Sequence, residues 1–175
     1  MILELLGRIC KSLEDQYIPY MVSGSLALNV YSIPRMTRDI DIVVELYEQG
    51  VDRFVTLFPD SYYNKKTIIE EVRRQGFFNI IDHPTGFKID FIVKKDTEYQ
   101  KLAFARKVRV NEPGTGFWVI SIEDLIIAKL AWIQQLQSDT QLSDIENLLL
   151  NKDKDTNYIR KWIEELDLKT FDLPL

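Results

Sequence analysis

The chain is poor in the residues that staple or bridge small domains. It has one cysteine and one histidine in 175 residues. A single thiol, Cys10, excludes an internal disulfide, and nothing in the cysteine usage points to an oxidising compartment, so a cytoplasmic location is expected. Cys10 falls among Leu6, Ile9 and Leu13 at helical spacing, which reads as a small buried hydrophobe rather than a nucleophile. His83 sits in a His-Pro turn and reads as a surface loop residue. No apolar run approaches the roughly 18 residues needed to span a bilayer, and the opening MILELLGRICKSLEDQ mixes Leu and Ile with charged residues. That is an amphipathic helix, so no membrane association is expected. Repeats and low-complexity tracts are also lacking.

Basic side chains are outnumbered by acidic ones, 22 against 27, for a formal net charge of −5. Such a balance argues against non-specific nucleic-acid binding, but the distribution is uneven. Residues 61–110 carry 11 basic and 6 acidic side chains, a local +5, and form the only candidate polyanion surface. The plain alternative is a solvated face of interspersed charges.

What the chain does have is alternating order. A helix over Met1 to Gln16 leads to an apolar strand, Tyr20 to Val22. Ser23-Gly24-Ser25 then turns the chain into a helix through Tyr31 that Pro34 limits. Arg38 to Leu46 (RDIDIVVEL) is β-branched with strict alternation at its start, and Leu46 to Phe58 returns to helical periodicity. Phe77 to Ile81 and Phe87 to Val93 flank a turn-rich Asp-His-Pro-Thr-Gly and predict a hairpin. Short strands follow at Val108 to Val110 and Phe117 to Ile120, separated by Asn111-Glu112-Pro113-Gly114. Ser121 opens a capping-box helix running to about Gln137, and two more helices, Gln141 to Leu150 and Thr156 to Leu166, finish the chain. The expected class is α+β, a mixed sheet flanked by helices over residues 1–120, with a small helical part over 121–175 packed on it as a single compact unit.

Strand alternation puts Asp39 and Asp41 on one side, about 7 Å apart at Cα, while Ile40 and Ile42 point into the core. Asp90 lies within the apolar strand FKIDFIV, where an unpaired carboxylate is expensive to desolvate. Three carboxylates on one sheet face call for a multivalent cation, and hard oxygen ligands favour Mg²⁺ or Mn²⁺. The bland reading makes Asp39 and Asp41 a solvated strand face and pairs Asp90 with Arg or Lys. Gly24-Ser25, a small-residue turn opening a helix, points backbone N–H groups at an anion such as a triphosphate. In the helix after Ser121, the wheel places Lys129 with Ile122, Leu125, Ile126, Trp132, Ile133 and Leu136, which makes it an inward-facing lysine. It either snorkels or reaches the acidic cluster. Asp144 stands near the start of the following helix and could touch the same site. Phe77, Phe78, Phe87 and Phe91 read as core.

The segment GSLALNVYSIPRMTRDIDIVV, Gly24 to Val44, resembles the signature of the minimal nucleotidyltransferase superfamily, in the branch related to AbiEii-type toxins. The match runs through Pro34, Arg35, Thr37, Asp39, Ile40 and Asp41, with Asp90 of KIDFIV as the third acid. SIEDLIIAKLAWIQQLQSDTQLSDIENLL, Ser121 to Leu149, resembles the same family's Glu-Asp-Leu, Lys-Leu and Asp-x-x-Asp-Leu region. Ser25 departs from the commoner second Gly, Gln137 or a neighbour stands where relatives often have Arg, and Glu146-Asn147 interrupts the second acidic motif. The resemblance implies transfer of an NMP from an NTP to an acceptor hydroxyl on RNA, a protein or a small molecule. Asp39, Asp41 and Asp90 would bind Mg²⁺ or Mn²⁺, Gly24 and Ser25 the phosphates, while Arg35 and Lys129 would neutralise charge. The rival expectation is an inactive binding module or one half of a toxin–antitoxin pair with an antitoxin partner.

Overall fold

The computed structural model describes residues 2–112, 115–135 and 138–175. Among them lie seven strands, β1 (Tyr20–Val22), β2 (Asp39–Val44), β3 (Ser61–Tyr62), β4 (Phe77–Asp82), β5 (Lys88–Val93), β6 (Val108–Glu112) and β7 (Thr115–Val119). The helices are α1 (Ile2–Asp15), α2 (Gly24–Tyr31), α3 (Val51–Val55), α4 (Lys65–Arg74), α5 (Glu98–Ala105), α6 (Ile122–Trp132), α7 (Asp139–Leu149) and α8 (Thr156–Glu165). The strands form one mixed sheet in the order β3-β4-β5-β2-β1-β7-β6. The β2–β5 and β1–β7 pairs are parallel and the others antiparallel. The expected hairpin is β4–β5. No described helix is long and apolar enough to cross a membrane.

Alternation decides which sheet face becomes core. Ile40, Ile42, Ile80, Ile89 and Phe91 are wholly buried, and Phe54 of α3 meets the rings of Phe78 and Phe91 edge-on at 5.7 and 5.0 Å. α1 contributes Leu5, Leu6, Ile9, Cys10 and Leu13 to the same core. The residues between them in sequence, Asp39, Asp41, Lys88 and Asp90, are then forced onto the opposite face.

The helices after the sheet are held by buried polar groups. Ser121 caps α6 by accepting the Asp124 N–H at 3.2 Å, and its hydroxyl donates to the Asp124 carboxylate at 2.8 Å. That carboxylate is fully buried and also accepts the Tyr158 hydroxyl of α8 at 2.8 Å and Arg106 Nε at 3.3 Å. Glu123 accepts from Arg106 and from the Asp155 N–H. The Glu-Asp-Leu element therefore clamps α8 and the α5–β6 connection together, a structural task.

Several boundaries differ from expectation. α6 stops at Trp132, which is 68% exposed rather than part of the inward face; Leu136 and Gln137 lie outside the described residues, as do Pro113 and Gly114. α4 and α5 occupy stretches with no assigned element in the sequence pattern, and the helical stretch after Leu46 is a single 3₁₀ turn followed by the short α3.

Candidate active site

Parallel pairing of β2 with β5 brings Asp41 directly opposite Asp90 and Asp39 opposite Lys88. Paired residues on adjacent strands lie about 4.8 Å apart and project to the same face, so the three carboxylates share one patch of sheet. Asp41 is the innermost. Its carboxyl is pushed above the ordinary range by burial, then by the negative charges of Asp90 and Asp39, with Lys129 and Lys88 opposing. A carboxylate destabilised in this way by its own kind is a site for added positive charge.

Lys88 supplies some of it. Its Nζ lies 2.9 Å from Asp90 and 3.8 Å from Asp39, and its pKa is raised chiefly by the bond to Asp90. Sequence reasoning missed this residue, although alternation in KIDFIV places it on the Asp90 face. Among the described residues no three acidic, histidine or cysteine side chains are gathered tightly enough to hold a metal ion as they stand. The donor set is nonetheless suited to a hard divalent cation: three carboxylates on one rigid face, already drawing an ammonium between two of them.

The phosphate-loop candidate abuts the acids. The Ser23 N–H donates to the Asp41 carbonyl at 2.9 Å, and Gly24 follows with φ +60°. A Cβ at Gly24 would overlap the Asp41 carboxylate and approach the Asp41 Cβ to 2.8 Å. Glycine is thus required twice, by backbone conformation and by contact. Ser23 holds the cap position of α2, but its side chain makes no capping bond, so the first-turn N–H groups lack that partner.

Arg35 reaches back to this turn, donating to Ser25 Oγ at 2.7 Å. It also forks onto Asp144, Nε to Oδ1 at 3.0 Å and Nη2 to Oδ2 at 2.9 Å. Asn29 of α2 fixes the Arg35 backbone from both sides, accepting its N–H and donating to its carbonyl. Lys129 neither snorkels nor stands free: it is 6% exposed and donates to Asp144 at 2.8 Å and to Gln141 at 2.9 Å. Asp144, in the middle of α7 rather than at its start, is the hub of this group. Burial raises its carboxyl, but bonds from Arg35 and Lys129 outweigh that and leave it below the ordinary range.

The basic residues of the middle segment are mostly ion-paired. Of its 11 basic residues, eight are ion-paired: Lys65, Arg73, Arg74, Lys88, Lys94, Lys101, Arg106 and Arg109. His83 is exposed, as expected of a turn residue, and Cys10 is buried. Phe78 and Phe91 are core, whereas Phe77 is 55% exposed on the carboxylate face.

A profile for "Nucleotidyltransferase of unknown function (DUF6036)" matches residues 6–172. The chain belongs to this nucleotidyltransferase family. By sequence, no curated protein matches it. Among solved structures it is similar to the antibiotic-resistance factor ANT(2'')-Ia (TM-score 0.60, 12% identity, 94% of this chain and 92% of that one). It is also similar to a putative nucleotidyltransferase from Thermotoga maritima (0.53, 19%, 94% and 93%). A third is the lincosamide antibiotic adenylyltransferase LnuA in its lincomycin-bound form (0.53, 14%, 79% and 90%). At these identities the likeness establishes a shared nucleotidyltransferase fold.

Proposed function

We propose that the protein is a metal-dependent nucleotidyltransferase that moves a nucleoside monophosphate from an NTP to an acceptor hydroxyl. The observation that carries this reading is the register of Asp41 against Asp90, with Asp39 two residues along and the Gly24 turn closed onto Asp41. Asp39, Asp41 and Asp90 would hold Mg²⁺ or Mn²⁺, which when bound polarises the α-phosphate and screens the developing charge. The N–H groups of the turn at Gly24 and Ser25 bind the β and γ phosphates. The acceptor oxygen attacks the α-phosphorus, the bond to the β-phosphate oxygen breaks, pyrophosphate departs, and the hydroxyl proton passes to Asp90. Arg35 and Lys129, adjoining the turn and Asp41, balance the negative charge of the leaving group. Division into a 1–120 core bearing the acids and a 121–175 part bearing Lys129 and Asp144 suits a site closed between them.

Incubating the full chain with α-labelled NTPs, Mg²⁺ and a mixed acceptor pool tests this. Acceptor-dependent pyrophosphate release is expected, falling at least ~100-fold in Asp41→Asn. Equal release by wild type and variant refutes the assignment of the site. One observation favours a second reading, a nucleotidyltransferase-fold binding module or toxin–antitoxin component without turnover: Arg35 and Lys129 are both engaged by Asp144. Nucleotide binding without pyrophosphate release would select it.

A further inference from the structure

The carboxylate face does not end at β5. Sheet register extends it outward as rows: Asp39, Lys88, Ile81 and Tyr62 in one, Asp41, Asp90 and Asn79 in the next, then Ile92 and Phe77. Rows repeat about every 7 Å along the strands, and Asn79 is about 4.8 Å from Asp90 at Cα. This outer strip is uncovered: Tyr62 is 60%, Phe77 55% and Ile81 37% exposed, and Asn79 is exposed between them. Large apolar side chains at alternate positions of a strand, open to solvent and continuous with a reactive centre, form a surface that a ligand covers.

The composition of the strip selects the ligand. It carries no free cation, its one ammonium, Lys88, being held by Asp90 and Asp39, and most basic residues of the surrounding segment are paired. A polyanion would find little to neutralise its phosphates. Asn79, in contrast, presents an uncharged amide with both donors and an acceptor, the match for hydroxyl groups that both give and accept hydrogen bonds. Tyr62 and Phe77 offer aromatic faces to a ring's C–H surface. We infer that Tyr62, Phe77, Asn79 and Ile81 are the acceptor platform, and that the acceptor is a small uncharged polyhydroxylated ring compound of the sugar or cyclitol class. This rests on the transferase reading above. Asn79 orients the attacking hydroxyl toward Asp90, and the rings set which acceptors fit.

The test uses the full chain with α-labelled NTPs and Mg²⁺ against three separate pools: neutral glycosides with inositol, mixed-sequence oligoribonucleotides with free 3′-hydroxyls, and unfolded casein. Label is expected in the first pool. The double variant Tyr62→Ala/Phe77→Ala is expected to raise acceptor KM by about ten-fold or more with kcat nearly unchanged, whereas Asn79→Ala, which also loses the orientation of the attacking hydroxyl, is expected to raise KM and to lower kcat. All three side chains are exposed, so an unchanged melting temperature shows the variants folded. NTP affinity, measured by titration without acceptor, is expected to stay the same. Label in RNA or casein in place of the neutral pool, or an unchanged KM, would each overturn the inference. No label in any pool, whether or not the wild type binds NTP, would instead refute the transferase reading beneath it and the inference with it.

Discussion

Lys129 and Asp144 meet at 2.8 Å with both side chains almost wholly buried, 6% and 4% exposed. Arg35 forks onto the same carboxylate from the turn beyond α2. One acid therefore joins α6, α7 and the segment leading into β2, and it holds both Arg35, which bonds Ser25 of the turn, and Lys129, whose charge acts on Asp41.

Removing that acid leaves a buried ammonium without its partner. Asp144→Asn is expected to destabilise the fold by about 3 to 5 kcal/mol at neutral pH, the usual consequence of breaking a buried pair from one side. The sign with pH follows from the depressed folded-state value of Asp144, below its ordinary 3.8. A carboxyl held down in the fold stabilises above its unfolded value and loses that contribution as pH falls through the folded one. Urea unfolding at neutral pH and near pH 3 is expected to show the gap between wild type and variant narrowing in acid; a constant gap would contradict the pairing.

Lys129→Met separates the cation's two duties. The stem volume is kept and the charge is lost, so Asp144 retains only Arg35 and stability falls. If the ammonium also faces the triphosphate, affinity for a non-hydrolysable NTP with Mg²⁺ drops by about ten- to a hundred-fold, the value of one charge-assisted contact. Asp144→Asn releases both cations and is expected to hold or raise that affinity. Titration calorimetry on the three proteins reads this directly. Affinity of Lys129→Met within two-fold or so of wild type would leave Lys129 a packing and pairing residue alone.

Gly24 can be examined against an internal control. Gly24 and Gly86 both have positive φ, +60° and +70°, but a Cβ at Gly86 meets nothing within 4 Å whereas one at Gly24 meets the Asp41 carboxylate. Alanine at either position bears a left-handed penalty of about 1 to 2 kcal/mol. Only Gly24→Ala is expected to abolish the thermal shift produced by Mg²⁺ and NTP, because only there must the carboxylate move. Parallel losses in both variants would reduce Gly24 to a conformational requirement.

The sheet and the acids were legible because both depend on short-range period. RDIDIVVEL and FKIDFIV alternate, and alternation alone separates Asp39, Asp41 and Asp90 from Ile40, Ile42 and Ile89. Lys88 was equally legible by that rule, yet a lysine two places before an acid looks like any solvated strand residue until pairing puts it opposite Asp39. Asp144 was not legible in its full role: its partner Arg35 is 109 residues away, and no local pattern encodes such a meeting. α4 was obscured by its own charge, since KKTIIEEVRR buries only Ile68, Glu71 and Val72. Lys129 was correctly placed inward, but the wheel could not supply Asp144, the group that lets its ammonium stay there.

Lys88 and a bound divalent ion are competitors for the same carboxylates, which gives the metal assignment a readout independent of turnover. In the structure its Nζ is 2.9 Å from Asp90 and 3.8 Å from Asp39, so it directly relieves two of the three like charges. Lys88→Met removes that relief. The variant in EDTA is expected to melt below wild type, because repulsion among Asp39, Asp41 and Asp90 is then opposed chiefly by Lys129, whose charge acts on Asp41. Mg²⁺ added to the variant binds without displacing an ammonium, so its affinity rises and the stabilisation at a fixed concentration grows by mass action. A wild-type shift of a given size should therefore be matched by the variant at a lower Mg²⁺ concentration, with Asp41→Asn showing little shift. Were Lys88→Met to raise stability in EDTA and respond to Mg²⁺ no more than wild type, the three aspartates would be a solvated strand face, and the metal would have to be sought elsewhere.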